Sequence, residues 1–162
     1  SRETFTYYPG NGFSKNSVAK TQTICLDSRK YNTVAYNIDD NNYFKLRDIA
    51  QILNGTIKTF DVKYDGATNS IDMLSFYDYT SVGGELTPGD DVTRTAFSSS
   101  AFLTLDGVPI KATCYNIDGN NYFKLRDITD ALDCRVEWDD NNQLIWVVPS
   151  VPAYDDPNEA VG

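Results

Sequence analysis

The chain has 162 residues, of which 41% are hydrophobic and 13% aromatic, and it carries a formal net charge of −9 with a pI near 4.3. This apolar content is enough for a folded core, which excludes a disordered protein. The acidic balance repels phosphate backbones and anionic membrane surfaces, and no segment is apolar over the length of a membrane span. We therefore expect no nucleic-acid partner and no membrane insertion.

Histidine is absent from the sequence. Its absence removes the usual general base near neutral pH, the Ser–His and Cys–His nucleophile pairs, and the commonest zinc or copper ligand. The three cysteines, Cys25, Cys114 and Cys134, have no CxxC spacing. We therefore predict no enzymatic activity, no metal and no cofactor. Two interpretations stay open for the cysteines: a Cys114–Cys134 disulfide, or three buried thiols, of which the second is favoured.

The first part of the chain is predicted to be a series of extended runs joined by turns. Residues 1–17 precede the pattern and form an N-terminal extension. An apolar run at residues 24–26 ends at the turn Asp27-Ser28, and a second run follows. The next turn, Asp39-Asp40, separates "YNI" from "NYF". Such turns between extended runs predict β-hairpins.

A helix is predicted to begin near Lys45, since four apolar residues follow at the spacing of one helical face: Leu46, Ile49, Ala50 and Leu53. Asn54-Gly55 is a typical helix end. Two further strands, "FDVKYD" and "SIDML", are expected to be joined at Asp65-Gly66. The first unit is thus several strands with one short helix.

The same unit occurs a second time. "YNIDDNNYFKLRDI" at residues 36–49 and "YNIDGNNYFKLRDI" at residues 115–128 are identical at thirteen of fourteen positions, at an offset of 79 residues. The alignment extends on both sides, so residues 18–75 form repeat 1 and residues 97–149 form repeat 2. Residues 76–96 connect them, and the aromatic start of this connector is predicted to be an extra strand. Residues 150–162 are an acidic, proline-containing tail typical of a linker.

These elements predict an α+β fold of two tandem repeats, each a small antiparallel β-sheet packed around one short α-helix. A unit of 55 to 60 residues buries only about 60% of its unfolded surface and is marginal alone. We therefore expect the two copies to pack against each other or to exchange strands.

The motifs "YFKLRDIAQIL", "YFKLRDITDAL" and "VEWDDNNQLIWV" resemble the copper amine oxidase N-terminal-like domain, also called the stalk domain. Leu46-Arg47 and Leu125-Arg126 match its helix start, and "VEWD" matches its strand motif, where the first copy has Tyr64 in place of Trp. The resemblance implies a small antiparallel sheet around a helix, carried by secreted and cell-wall-associated bacterial proteins. It implies no catalysis, because copper belongs to a separate domain in that family.

Two paired charges stand at the helix starts, Arg47-Asp48 and Arg126-Asp127. They are either a charged site or structural pairs, in which the acid satisfies first-turn N–H groups and the Arg ties the helix to a strand. The structural interpretation is favoured, because both copies keep the pair. The "DDNN" turns at residues 39–42 and 139–142 lack the spacing of an EF-hand loop, so Asx-rich hairpin turns are favoured over calcium sites.

Aromatic residues are the remaining candidates. Tyr64 and Trp138 occupy matched strand positions and are predicted to be core residues. Trp146 replaces Asp72 of the first copy on the opposite face, so it is either covered by the other copy or exposed for a partner. Two further aromatic residues are weaker binding candidates, because their strand register is unknown: Tyr43 and Tyr122.

The sequence favours a non-catalytic module of a secreted or cell-surface bacterial protein. It would act beside another domain as a spacer or as an interaction domain for a protein or the cell wall. The alternative is a carbohydrate- or peptidoglycan-binding module that uses exposed aromatic residues. A third interpretation, a carboxylate-based hydrolase, depends only on the abundance of acidic residues.

Overall fold

The computed structural model describes residues 14–87 and 92–155. Within these ranges strands account for 51% of the residues and helices for 11%. The N-terminal extension up to residue 13, the connector at residues 88–91 and the tail from residue 156 lie outside the described residues.

The described residues of the first half, 14–87, form five strands and one helix: β1 (Ser14–Leu26), β2 (Arg29–Ile38), β3 (Asn41–Lys45), α1 (Leu46–Leu53), β4 (Phe60–Asp65) and β5 (Ser70–Ser75). Residues 92–155 form seven strands and one helix: β6 (Arg94–Ser99), β7 (Phe102–Leu105), β8 (Val108–Pro109), β9 (Cys114–Ile117), β10 (Asn120–Lys124), α2 (Leu125–Ala131), β11 (Arg135–Asp139) and β12 (Leu144–Val148). The predicted hairpins, helices and closing strands are confirmed. The predicted extra strand at the start of the connector is wrong, since residues 76–87 contain turns and irregular backbone.

Six strands close into an antiparallel barrel in the order β1-β2-β3-β10-β9-β6, with β6 pairing back to β1. Strands β2 and β3 come from the first copy, whereas β9 and β10 come from the second. The two copies meet where β3 pairs with β10, with Phe44 opposite Phe123. Because these two residues are equivalent, a local two-fold axis passes through this pair.

The predicted fold class is therefore wrong. The molecule is mostly β, with a closed barrel, a second sheet and two short helices, and it does not consist of two separate α+β repeats. Periodicity identifies each strand, but it does not say which strand pairs with which. Here the pairing is between copies, because joining both hairpins in one barrel leaves fewer open strand edges than two small sheets would.

Strand exchange between the copies is confirmed. The end of β1 pairs in parallel with β12, the last strand of the second copy, with Ile24 opposite Ile145. In the second sheet, of order β4-β5-β7-β8, β5 of the first copy pairs in parallel with β7 of the second, with Ile71 opposite Leu103. Each copy thus contributes a strand to the sheet of the other.

The barrel interior holds four tyrosines. The rings of Tyr36 and Tyr122 meet edge to face at 5.0 Å between centroids, and those of Tyr43 and Tyr115 meet in the same way at 5.1 Å. Small residues from β1 and β6, Ala19 and Ala96, leave room for these rings. Edge-to-face aromatic pairs add to the stabilisation from burial. The tyrosines of the repeated phrase are thus the barrel core.

A second, larger core lies between the barrel, the helices and the other strands. Both helices bury their apolar faces in it, against Phe60 and Met73 of the second sheet and Val147 of β12. The core also contains Phe44 and Phe123, which lie on the opposite strand faces from the neighbouring barrel tyrosines. One core shared by both copies explains how units too small to be stable alone fold together. Neither described helix has the length and apolarity needed to cross a membrane.

The hairpin turns follow the sequence chemistry. Asp39 and Asp40 have φ values of 51° and 65°, and Asp118 and Gly119 have 51° and 85°. Left-handed backbone at both central positions is what a type I′ hairpin turn requires. The connection after Asp65 is longer than predicted: the strands are joined by residues 66–69, and the Asp65 carboxylate accepts a hydrogen bond from the Ala67 amide.

Candidate functional site

Two clefts lie at the junctions between the copies. The first cleft, of about 640 Å³, is formed by the start of α1, the β4–β5 hairpin and the β9–β10 turn of the other copy. Leu46, Val62 and Ile71 line it with apolar groups. Its other main lining residues are polar or aromatic: Lys45, Arg47, Tyr64, Asn69, Asn120 and Asn121.

The second cleft, of about 260 Å³, is formed by the start of α2, the β11–β12 hairpin and the β2–β3 turn. Leu125, Val136 and Ile145 line it with apolar groups. Its other main lining residues are again polar or aromatic: Asn41, Asn42, Lys124, Arg126, Glu137 and Trp138.

The two clefts are built from equivalent residues. Lys, Leu and Arg of the phrase "KLR" line both clefts, and so do a Val and an Ile from the strands that follow. The two asparagines that begin β10 line the first cleft, and those that begin β3 line the second. The aromatic position holds Tyr64 in one cleft and Trp138 in the other. The local two-fold axis of the β3–β10 pair thus relates the two clefts.

Tyr64 and Trp138 are exposed, with 55% and 44% of their surfaces accessible to solvent. The Tyr64 hydroxyl donates to Asn69 Oδ1 at 3.4 Å, and the Trp138 indole N–H donates to Asp140 Oδ1 at 3.3 Å. The prediction that both are core residues is wrong. They do share a cleft with Val62 and Val136, as their spacing requires, but they stand near the ends of β4 and β11, beyond the edge of the core.

Charge differs between the clefts. Among the described residues, none that lines the first cleft is acidic, while Lys45 and Arg47 are cationic. The second cleft has two cationic residues and also Asp40 and Glu137. In a protein with a net charge of −9, a cleft without lining acids is a local exception.

Arg47 and Asp48 are both bound to the connector. The Arg47 guanidinium donates to the Tyr79 hydroxyl at 3.2 Å and lies 5.9 Å from the centre of its ring. The Tyr79 hydroxyl in turn donates a hydrogen bond to the Glu85 carboxylate. Burial alone would raise the pKa of Glu85, but this bond and those from the Val82 and Gly83 amides lower it to about 2. The helix start is therefore linked to the connector through its Arg.

Asp48 is buried, with 4% of its surface accessible. It accepts hydrogen bonds from the Thr33 hydroxyl at 3.0 Å and from the Leu86 amide at 2.9 Å. Neither helix has a side-chain hydrogen bond from its N-cap residue, Lys45 or Lys124. Asp48 thus joins β2, α1 and the connector.

The corresponding pair of the second copy has different surroundings. Arg126 is exposed, and Asp127 is half-buried and accepts a hydrogen bond from the Thr113 amide at 3.2 Å. Ala112 stands where the first copy has Thr33. The same two residues therefore make fewer buried contacts in this copy.

The three aromatic binding candidates are not lining residues of either cleft, although Trp146 pairs with Glu137 of the second. Tyr43 and Tyr122 are inside the barrel, with 4% and 6% of their surfaces accessible, and burial raises the pKa of Tyr43 to about 12. Trp146 is half-buried between its buried neighbours Ile145 and Val147, so the predicted alternation holds. The pKa of Asp139 is lowered chiefly by a hydrogen bond from Asn142, with a further bond from the Trp146 side chain.

All three cysteines are buried free thiols. Burial raises the pKa of Cys114 to about 12 and that of Cys134 to about 11. The "DDNN" turn at residues 139–142 is stabilised by Asp139, which accepts hydrogen bonds from the amide and side chain of Asn142. Within the described ranges no group of three or more acidic or cysteine side chains is placed to hold a metal ion.

Sequence reasoning missed the clefts because each combines the helix of one copy with the turn of the other. One signal was present: both copies carry an aromatic residue directly before the Asp of a turn, at Tyr64-Asp65 and Trp138-Asp139. A side chain next to a turn is more exposed to solvent than the alternation of buried and exposed positions along its strand would suggest. A comparison of the chain with family models, curated proteins and solved structures finds no match, so the resemblance to stalk domains stays a prediction.

Proposed function

We propose that the protein is a non-catalytic glycan-binding module of a secreted or cell-surface bacterial protein, with a cell-wall polysaccharide as its ligand. One observation carries the proposal: each cleft presents an exposed aromatic ring beside amide and cationic side chains. A sugar ring has an apolar C–H face that stacks on an aromatic ring and hydroxyl groups that bond to amides. A concave site with an apolar platform and a few polar groups suits such a ligand.

The chemistry of the first cleft supports binding over hydrolysis. A glycoside hydrolase of the usual kind needs two carboxyl groups about 5 to 10 Å apart across the scissile bond. None of the described residues lining the first cleft is acidic. Asp40 and Glu137 of the second cleft have no acidic equivalent among the described lining residues of the first, where Gly119 stands at the position of Asp40. A role shared by both clefts is therefore better explained by the aromatic and amide groups that they have in common.

A retention assay tests the proposal. Purified protein is sedimented with insoluble peptidoglycan, cellulose, chitin and immobilised host glycans, and the bound fraction is measured. We expect retention by at least one of them, and loss of retention when Tyr64→Ala and Trp138→Ala are combined. Because both side chains are exposed, we expect their removal to change the free energy of unfolding by no more than about 1 kcal/mol.

Tyr77→Ala is the matched control. Tyr77 is more exposed than Tyr64, at 64%, but it lies in the connector outside both clefts, so its removal should leave retention unchanged. Trp146→Ala tests the alternative site on the outer face of β12. Loss of retention with Trp146→Ala alone would move the site there. Absence of retention by every polymer would overturn the proposal and favour a spacer role.

A further inference from the structure

We infer that the two clefts are two copies of one binding site and that they hold two glycan segments running in opposite directions, so that the module bridges polysaccharide chains. The inference rests on the proposed glycan binding, which supplies the ligand class. Beyond glycan binding, it states that there are two sites, that they hold glycan segments of opposite direction, and that polymer chains are bridged as a result.

The junction between the two copies is symmetric. In the β3–β10 pair, Lys45 lies opposite Tyr122, Phe44 opposite Phe123, and Tyr43 opposite Lys124. The equivalence of the two copies exchanges the first of these pairs for the third and leaves the Phe44–Phe123 pair in place. The two clefts lie at opposite ends of the β3–β10 strand pair. The two-fold axis between Phe44 and Phe123 therefore relates one cleft to the other.

Both clefts keep the groups that a sugar ring needs. The positions of Lys45, Asn120 and Asn121 are filled by identical residues in the second cleft, and Tyr64 is replaced by another aromatic residue. The packing of the core does not require the ring at this position, since about half of its surface is exposed in each copy. A shared fold explains the common apolar lining. It does not explain an exposed aromatic ring in both clefts.

The two-fold axis also sets the relative direction of the two bound glycan segments. A polysaccharide has a reducing and a non-reducing end, and a two-fold axis reverses any direction in the plane of the strands it relates. A straight chain laid along the strands would therefore enter the second cleft in the wrong direction. Asn121 of the first cleft and Lys124 of the second are three residues apart on β10, about 10 Å at the usual strand rise. Two antiparallel segments, one in each cleft, satisfy both sites.

The test compares binding with cross-linking in solution. The probes are soluble glycan strands released from peptidoglycan, water-soluble arabinoxylan and hyaluronan, and the three arms separate bacterial, plant and host sources. Calorimetry gives the number of sites with short oligosaccharides of each type, and light scattering follows polymer cross-linking. The variants are Tyr64→Ala, Trp138→Ala and their combination, with Tyr77→Ala as control.

We expect two sites per molecule and a rise in scattering for the wild type and for Tyr77→Ala. Each single cleft variant should bind at one site without cross-linking, and its apparent affinity for an immobilised polymer should fall by at least about 100-fold, because the second contact is lost. The combined variant should not bind. Scattering of the protein alone is recorded first, so that self-association is not counted as cross-linking.

Four outcomes would overturn the inference. One binding site in the wild type, or two sites without cross-linking, would leave glycan binding intact and remove the bridging role. Cross-linking that survives in a single cleft variant would place a second site elsewhere. Absence of binding to all three polymers would contradict the proposed function itself, and the bridging role would fall with it.

Discussion

The two copies of the repeat differ less in the residues they carry than in what covers them. In the first copy the connector packs over α1, so that Asp48 is buried and Arg47 is bound to Tyr79. In the second copy the segment after β12 reaches α2, where the Tyr154 hydroxyl donates to Asp130 at 3.0 Å, but Arg126 stays exposed. Nearly identical phrases thus acquire different roles in stability, because the segments that cover them are not repeated.

The largest expected loss of stability tests whether the two copies are equivalent at the local two-fold axis. Phe44→Ala and Phe123→Ala each remove a fully buried ring beside the local two-fold axis, at a cost of about 3 to 5 kcal/mol. Because the two sites are equivalent, the two losses should agree within about 1 kcal/mol. Urea unfolding measures them, and the milder pair Phe44→Leu and Phe123→Leu keeps the comparison measurable if the alanine variants do not fold. Clearly unequal losses would argue against equivalent surroundings.

A smaller loss of stability tests the difference between the copies in the surroundings of Asp48 and Asp127. Asp48→Ala leaves the Thr33 hydroxyl and the Leu86 amide without their acceptor. Because each unsatisfied buried group costs about 1 to 3 kcal/mol, we expect the free energy of unfolding to fall by about 3 kcal/mol. Asp127→Ala removes one bond to the exposed Thr113 amide and should cost about 1 kcal/mol. Denaturant titration of both variants gives the difference. Asp48→Asn is the control, because it keeps one acceptor oxygen, and it should lose less than Asp48→Ala.

The smallest effect appears in alkaline solution. Burial raises the pKa of Cys114 to about 12, whereas in the unfolded chain the thiol ionises near about 8.5. Its stabilising contribution is complete below that value and is lost as the pH rises towards 12, by at most about 1.4 kcal/mol per pH unit. Cys114→Ala introduces the residue that the first copy has at the equivalent position, Ala35. We expect the variant to lose less stability than wild type between pH 9 and 10.5.

Unfolding free energies at several pH values measure this difference. The cavity left by Cys114→Ala lowers stability by the same amount at every pH, so only the slope is informative. The buried tyrosines ionise in both proteins and cancel in the comparison. Parallel curves for the two proteins would contradict the assignment of this slope to Cys114.

Local chemistry made the elements predictable. The alternation in "YNI" and "NYF", the Asp-Gly turn and the helical spacing after Lys45 each depend on neighbours in the chain, and all of these elements are present. Pairing depends on distant residues: β1 and β12 are more than a hundred residues apart in sequence, yet they share a sheet. Sequence reasoning therefore found the strands and missed the barrel.

The candidate site was less predictable for the same reason. The spacing of Val62 and Tyr64 predicts that both side chains lie on one face of β4. It does not predict how deeply each is buried, because that depends on where the core ends. The asparagines of each cleft come from the other copy's turn, so no local pattern connects them to the aromatic ring. The tyrosines in the repeated phrase were the more conspicuous candidates, and they are the barrel interior.

The parallel pairing of β1 with β12 has a mechanical consequence. These are the first and last strands of the described chain, and Thr23, Ile24 and Cys25 lie opposite Leu144, Ile145 and Trp146. Tension applied from the two sides of the module pulls β1 towards its start and β12 towards its end, so the strands are loaded in shear. Their hydrogen bonds must then break together rather than one after another. Resistance to pulling is therefore governed by the rate of this rupture and not by the equilibrium free energy of unfolding.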